Sequence, residues 1–386
     1  MKSIGIITID KCNNYGAELQ AYALVKVLQL MKYDSEIIDY LYFKNPKYYA
    51  CSMSRPIKPQ SIKERLICWI KYRLATKLLY FVVPLFSSKM RRRNNRFDKF
   101  HKQNTKMSTT YRSMKELYDK VKKYDVYVVG SDQVWNPYTE TNLAPYFLQF
   151  ASKGVRRISY ASSFGVTDIP SFAQKSYQQW LMELDFISCR ETAGIEIVKK
   201  ITGKDATLTL DPTLLLDKQQ WMSVEGGEID MPEKFVLIYA VEAAPALLWQ
   251  MAYEFGEKHN IPIYSICTQA VGNTNKKGII NIEDAGPADF VQLFVNATLV
   301  LTNSFHGTAF SCNLGKNFYS VLSKSSKKNS RMTSLLEKLE LSNRIVWNDE
   351  SIPADYGKMY DVEKEQLLLS VERQRSVDYL RNTIEA

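Results

Sequence analysis

A histidine placed where an apolar run gives way to a helix can move a proton. One of the three histidines in this 386-residue chain has that setting. The stretch TLVLTNS (298–304) is apolar and strand-like, and His306 follows it at once. Gly307 and Thr308 then open a helix-like run that ends at Gly315. A helix start offers unpaired N–H groups and a dipole that favours negative charge. Gly307 would let backbone approach a ligand closely, and Thr308 would cap the helix. An imidazole beside bound phosphate can be protonated and give that proton up. Asn303, Ser304 and Phe305 complete this candidate group. His101 and His259 lack such a setting and read as surface residues.

Four further loops carry polar residues directly after strand-like runs. In NNYGAELQ (13–20), Asn14, Tyr15, Gly16 and Gln20 stand at a turn and helix start that is either an anion-binding loop or a plain connection. It is not a G-x-G-x-x-G fingerprint, so no dinucleotide site is expected. In GSDQVWNP (130–137), Ser131, Asp132, Gln133, Trp135 and Asn136 would suit a sugar: the indole stacks on a pyranose face while acid and amides bond its hydroxyls. In ISCRE (187–191), Arg190 either grips a carboxylate or phosphate bidentately or pairs locally with Glu191. Asp211-Pro212 in LDPTLLL (210–216) reads most simply as a turn at the crossing between domains.

These loops need strands to hold them. KSIGIITI, SEIIDY, DVYVVGSD and RRISYASSFG alternate with helix-like stretches such as AELQAYALVKVLQLM. After TLTLDPTLLL the alternation restarts: KFVLIYAV (234–241), a helix at 246–259, IPIYSICT (261–268), a helix at 289–297, TLVLTNS, the His306 helix and KNFYSVL. Two batches of β/α alternation predict an α/β protein with two Rossmann-like doubly wound domains, 1–210 and 211–386. The final helix is expected to pack back on the first domain.

Composition narrows the classes. Apolar residues make up 45% and charged residues 24%, as in an ordinary globular protein and unlike disorder. The six cysteines show no C-x-x-C pair, so reduced thiols and no metal site are expected. MKSIGIITID lacks a signal-peptide layout, and no window reaches the ~18 apolar residues of a spanning helix. A cytoplasmic location is therefore expected.

The net charge of +10 is local. From Arg55 to Lys106 there are fifteen Lys/Arg and two acids, leaving 36 basic and 39 acidic groups elsewhere. Nothing outside that segment suggests nucleic acid as a partner. Within it, ERLICWIKYRLATKLLYFVVPLF is a basic, aromatic-rich helix candidate inserted at about 55–106 of the first domain, and KMRRRNNRFDKFHK follows. The segment is either an interfacial helix on an anionic membrane or an ordinary packed helix with a solvated cationic loop.

Taken in order, NNYGAELQAYAL, VVGSDQVWNP, ISYASSFG, SCRE, LDPTLLL and TNSFHGTAFSCNLGKNFY resemble the polysaccharide pyruvyl transferase family from residue 1 to about 345. The resemblance implies a GT-B-like pair of Rossmann domains facing across a cleft that holds the site. It implies transfer of a pyruvyl group from phosphoenolpyruvate to sugar hydroxyls, as a ketal, in bacterial surface-polysaccharide assembly, with no cofactor. Carried over by position, the family's donor-binding arginine falls on Arg190 and its histidine on His306. In the mechanism read from these residues, a carboxylate such as Asp132 would deprotonate the acceptor. Members often carry arginine two residues before the histidine, where this chain has Ser304; Arg331 is the candidate replacement cation. The acceptor would be a sugar or lipid-linked oligosaccharide at the inner membrane face. The rival readings are a GT-B glycosyltransferase using a nucleotide sugar and a non-catalytic carbohydrate-binding relative.

Overall fold

The computed structural model describes residues 1–266, 276–326 and 329–386. Cys267 and Thr268, at the end of the expected strand 261–268, lie outside the described residues, as do Lys327 and Lys328 beside Arg331. The chain divides into two compact units. Unit 1 is Met1–Arg91, His101–Leu215 and Arg375–Ala386; unit 2 is Arg92–Phe100 and Leu216–Gln374. The division thus falls at Leu215 rather than at 210. Arg92–Phe100, expected inside the first domain's insertion, groups with unit 2.

Unit 1 holds a parallel sheet of β1 (Ser3–Ile7), β2 (Asp34–Ile37), β3 (Val126–Val129) and β4 (Arg156–Ser159), in the order β2-β1-β3-β4. Ile6 registers with Ile37 on one side and Val128 on the other. Two short strands, β5 (Ser188–Cys189) and β6 (Thr207–Leu208), pair with each other, and parallel bridges at Phe186 and Cys189 continue the sheet past β4. All four residues of β3 are buried, the pattern of a parallel strand covered on both faces. Gly130, just after β3, is required by packing: a Cβ there would lie 2.9 Å from that of Thr8. Arg375–Ala386, the end of the helix Val362–Glu385, belongs to this unit, where Ser376 accepts from the Leu210 amide and Tyr379 donates to the Ser159 carbonyl.

Unit 2 holds β7 (Val236–Tyr239), β8 (Ile263–Ile266), β9 (Ile279–Ile282), β10 (Leu299–Thr302), β11 (Phe318–Leu322) and β12 (Ile345–Trp347), all parallel in the order β12-β11-β10-β7-β8-β9. Numbered within the unit this is 6-5-4-1-2-3, the doubly wound order of a Rossmann sheet. Leu301 registers with Ile238 and with Tyr319, so β10 and β7 are neighbours at the point where strand order reverses. The helix expected at 246–259 spans Ala246–His259.

The α/β reading with two parallel sheets therefore holds. Among the described residues, no helix is long and apolar enough to cross a membrane, and no group of three or more His, Cys, Asp or Glu could hold a metal. The five described cysteines are free.

Candidate functional site

In open parallel sheets the crevice beyond the carboxyl ends of the strands, where strand order reverses, is where ligands bind. Unit 1 reverses between β1 and β3, and a cavity of about 510 Å³ opens there. Asn14 and Cys12 line it from the loop after β1. Asp132, Gln133 and Asn136 line it from the loop after β3, as do Tyr138 and Glu140. Tyr42, Phe43 and Lys44 close it from beyond β2, and Tyr72 reaches in from the inserted segment. Asp132 has φ 73°, a left-handed backbone that Asp tolerates better than most residues. Its Oδ1 accepts from the Gln133 amide at 2.8 Å and from Arg190 Nη2 at 3.2 Å.

Several expected ligand contacts are met by the protein itself. Trp135 is fully buried, stacked on Phe147 at 5.1 Å, and its Nε1–H donates to the Tyr146 carbonyl at 2.8 Å. It is core, not a sugar platform; the aromatic surface of the cavity belongs to Tyr42, Tyr72 and Tyr138. Gln20 is buried, and its amide nitrogen donates to Thr8 Oγ1 and to the carbonyls of Ile9 and Ala17. Tyr15 and Gly16 lie in the buried first turn of the helix Tyr15–Leu30, which Asn14 caps by accepting from the Ala17 amide. Ser131 Oγ is within hydrogen-bond distance of the Ala161 carbonyl and of Asp211 Oδ2.

Arg190 is the largest departure. Its side chain is 0% exposed, and Nη1 lies 2.6 Å from Asp211 Oδ2. Glu191 Oε2 stands 3.8 Å from Nε. Burial alone would lower the guanidinium's pKa, but Asp211, Asp132 and Glu191 outweigh it and raise it. One cation is thus already opposed by three carboxylates within unit 1, Asp211 at 2.6 Å and Asp132 at 3.2 Å being the nearest. Asp211, read as a turn residue, is instead the buried counter-ion, and it also accepts from the Thr213 amide and hydroxyl.

A second buried cluster lies behind the β1 loop. His101, expected on the surface, is 9% exposed and pairs through Nε2 with Glu18 Oε2 at 3.0 Å; His259 is exposed as expected. Glu18 accepts from the amides of Lys11 and Cys12, and Lys11 Nζ pairs with Asp39 at 2.5 Å. Asp10 stands among Glu18, Asp39, His101 and Lys11, and neither of its buried oxygens has a hydrogen-bond partner among the described residues. Burial, then the negative charges of Glu18 and Asp39, pushes its pKa up to about 8. Burial opposes the His101 charge, yet Glu18 and then Asp10 outweigh it and raise that pKa too.

Both groups hold protons in the folded state that the unfolded chain releases, so stability falls as pH rises, from about 3.8 to about 8 for Asp10 and from about 6.5 upwards for His101. The limiting slope per group is about 1.4 kcal/mol per pH unit. Asp10→Asn should therefore melt higher than wild type at pH 8.5, with the gap narrowing steadily as pH falls towards 4. Equal pH slopes in thermal melts of the two proteins would refute this.

Unit 2 carries the histidine at its own reversal point. Asn303, past the end of β10, clamps the loop after β7: Oδ1 accepts from the Val241 amide at 3.0 Å and Nδ2 donates to the Glu242 carbonyl at 3.2 Å. The helix Phe305–Asn313 starts there with His306 in its first turn, 8% exposed. Ser304, not Thr308, is the cap, accepting from the Gly307 amide. Thr308 Oγ1 donates to the Ser304 carbonyl or bonds Ser320 Oγ at 2.7 Å, and is buried. Gly307 is needed for packing rather than for ligand approach, since a Cβ would lie 2.2 Å from Thr302 Oγ1 and 3.1 Å from Tyr239 Cδ1. Ser304 is the residue type that caps well and arginine is not, so this chain has a capped helix start where a cation was expected. The Arg331 guanidinium stands 5.6 Å from the Phe305 ring, next to His306 in the chain.

Comparison with known proteins follows this geometry. A family model for polysaccharide pyruvyl transferase matches residues 14–325, a span that includes both switch-point loops. No curated protein sequence matches the chain. Among solved structures, Arabidopsis thaliana UGT89C1 complexed with UDP-L-rhamnose superposes with a TM-score of 0.50 at 11% identity, covering 100% of this chain and 98% of that one. The glycotransferase of kitacinnamycin gives 0.50 at 10% identity, with 99% of each chain covered. A UDP-GlcNAc 2-epimerase from Methanocaldococcus jannaschii gives 0.47 at 13% identity, covering 97% of this chain and 93% of that one. The likeness is one of fold alone, the GT-B type.

Proposed function

This chain belongs to the polysaccharide pyruvyl transferase family and is a transferase, and from that premise we propose that it moves a pyruvyl group from phosphoenolpyruvate to sugar hydroxyls in bacterial surface-polysaccharide biosynthesis. The observation that carries the donor reading is the start of the helix Phe305–Asn313. It combines first-turn N–H groups, His306 and the nearby Arg331, a set suited to a small, multiply charged anion. Arg331 there supplies the charge that Ser304 does not.

In this reading His306 protonates the enol methylene, which leaves the central carbon electrophilic. A sugar hydroxyl attacks that carbon as a base takes its proton. The C–O bond to phosphate breaks, and a second hydroxyl adds to the resulting oxocarbenium carbon and gives its proton to the departing phosphate, which closes the ketal. The unit 1 cavity is the acceptor subsite, with Tyr42, Tyr72 and Tyr138 for the apolar face of a sugar and Asn14, Asp132 and Asn136 for its hydroxyls. Arg190 is a positioning residue that fixes the Asp132 carboxylate. The acceptor is a sugar, carried on a lipid-linked oligosaccharide.

A nucleotide-sugar donor is the alternative, and its support is the fold shared with UGT89C1 in its UDP-L-rhamnose complex. Calorimetric titration of the purified chain separates the two. Phosphoenolpyruvate should bind, and Arg331→Ala should weaken it at least about tenfold, as loss of one charge-assisted contact does. Binding of a UDP-sugar without any binding of phosphoenolpyruvate would overturn the proposal.

A further inference from the structure

Residues 62–86 behave unlike any other stretch of unit 1. They are helical almost throughout: Ile62–Trp69, then the wider π-type turns Ile70–Ala75 and Leu78–Val82, then Val83–Phe86. A helix packed on a sheet buries its apolar stripe. Here none of the residues in Ile62–Trp69, Leu78–Val82 or Val83–Phe86 is buried. Ile62, Leu85 and Phe86 are 86%, 71% and 87% exposed, and Leu66, Trp69 and Leu74 are each more than half exposed. Among the described residues, these 25 positions hold twelve of the 23 exposed large hydrophobic side chains. An apolar surface of that kind marks a contact with something outside the chain.

Charge identifies the contact. Between Arg55 and Lys77 the sequence has seven Lys/Arg and one acid. The cationic helix that follows, Ser88–Asn104, contributes less than its composition suggests. Its Arg92, Arg96 and Lys99 pair with Asp284, Asp289 and Glu228, so it is not the solvated cationic loop of the packed-helix alternative. The positive charge beside the apolar residues therefore comes chiefly from the inserted segment. A second copy of this chain would bring the same positive charge to the contact. A bilayer with anionic headgroups supplies both an apolar phase and the opposite charge. The interspersed cations, and the absence of a spanning helix among the described residues, argue for lying in the interface rather than crossing it.

The segment also reaches the candidate acceptor cavity. Tyr72 packs edge-on against Phe43 at 5.0 Å, and Cys68 Sγ lies 3.4 Å from Glu140 Oε1. Tyr72, Phe43 and Glu140 all line the cavity. We propose that residues 62–86 form an interfacial anchor that lies on an anionic lipid surface and, as one wall of the acceptor cavity, holds that cavity at the surface where a lipid-borne glycan is available. The anchor stands on exposure and charge alone; the delivery of the glycan rests on the function proposed above.

Flotation of the full chain tests it, using vesicles of phosphatidylethanolamine with phosphatidylglycerol against vesicles of phosphatidylcholine. Recovery with the anionic vesicles should exceed that with the neutral ones by at least about tenfold and fall in high salt. The triple variant Leu66→Asp, Leu74→Asp, Phe86→Asp, all at exposed positions outside the cavity, should lose flotation while keeping wild-type circular dichroism and melting. A second variant, Lys63→Glu with Lys77→Glu, should lose only the preference for anionic lipid. The proposal fails if wild type floats with neither vesicle, or if the triple variant floats as well as wild type. It also fails if sedimentation shows a lipid-free dimer that the triple variant dissolves, since the apolar face would then belong to a second copy. None of these readouts requires turnover, so an inactive donor site and a missing anchor give different results.

Discussion

His306→Ala is expected to lower phosphoenolpyruvate-dependent transfer by about 10²–10⁴-fold, the usual contribution of a positioned general acid. The residue is placed for that role by its surroundings rather than by its type. β10 ends at the reversal point of the unit 2 sheet, Asn303 ties that end to the loop after β7, and Ser304 caps the following helix. The imidazole thus sits in a first turn that favours an anion, close in sequence to a ring that carries the Arg331 guanidinium. His306→Gln keeps size and a hydrogen-bond donor but cannot be an acid, so it should be nearly as slow as alanine. If it instead restores turnover, the imidazole only positions the donor. Rapid quench with solvent deuterium adds a readout that a structural role would not move, because the methyl group of the product takes its third hydrogen from the protonating group. Wild-type rates for both variants would remove His306 from the reaction.

The strands β1–β4, β7, β8, β10 and β11 and the helix 246–259 are legible because buried parallel strands are largely apolar and helices repeat at 3.6 residues, whereas β9 and β12 are not read from the sequence. Short edge strands gave a weaker signal: β9 has only Ile282 buried, and β12 is three residues long. The loops after these strands do lie at the carboxyl ends of the sheets, but their side chains divide between cavity and core. Trp135 and Asn136 are neighbours in sequence, but one is held in the core by Phe147 and the Tyr146 carbonyl while the other lines the cavity. Thr308 and Ser304 are both good caps by type, and backbone conformation chose Ser304, whose extended φ and ψ suit a cap. His101 lies in a cationic stretch with no nearby acid except Asp98, and its partner Glu18 comes from the first helix. Such pairings are decided by tertiary contact, which a local pattern does not carry. Asp211 is the instructive case, because a turn signal hid a buried counter-ion.

That counter-ion sets the second large effect. Arg190→Ala should cost about 3–5 kcal/mol of stability, since it leaves a buried carboxylate without its cation. Asp211 is 1% exposed, and its Oδ2 faces Arg190 Nη1 at 2.6 Å. Ser131 and the Thr213 amide and hydroxyl, which also bond Asp211, are neutral donors and cannot offset the charge. Asp132 and Glu191 would also lose the one guanidinium they share, which adds repulsion. Arg190→Lys keeps a charge but not the fork that reaches two carboxylates at once, so it should recover stability only in part. The double variant Arg190→Met, Asp211→Leu removes charge on both sides and should be more stable than Arg190→Ala alone, because no unpaired ion remains at that pair. Urea denaturation of the four proteins gives the answer directly. If Arg190→Ala unfolds at the wild-type midpoint, the pair is not structural. The arginine would then be at liberty to do what its position in the SCRE strand first suggested, and receive the donor.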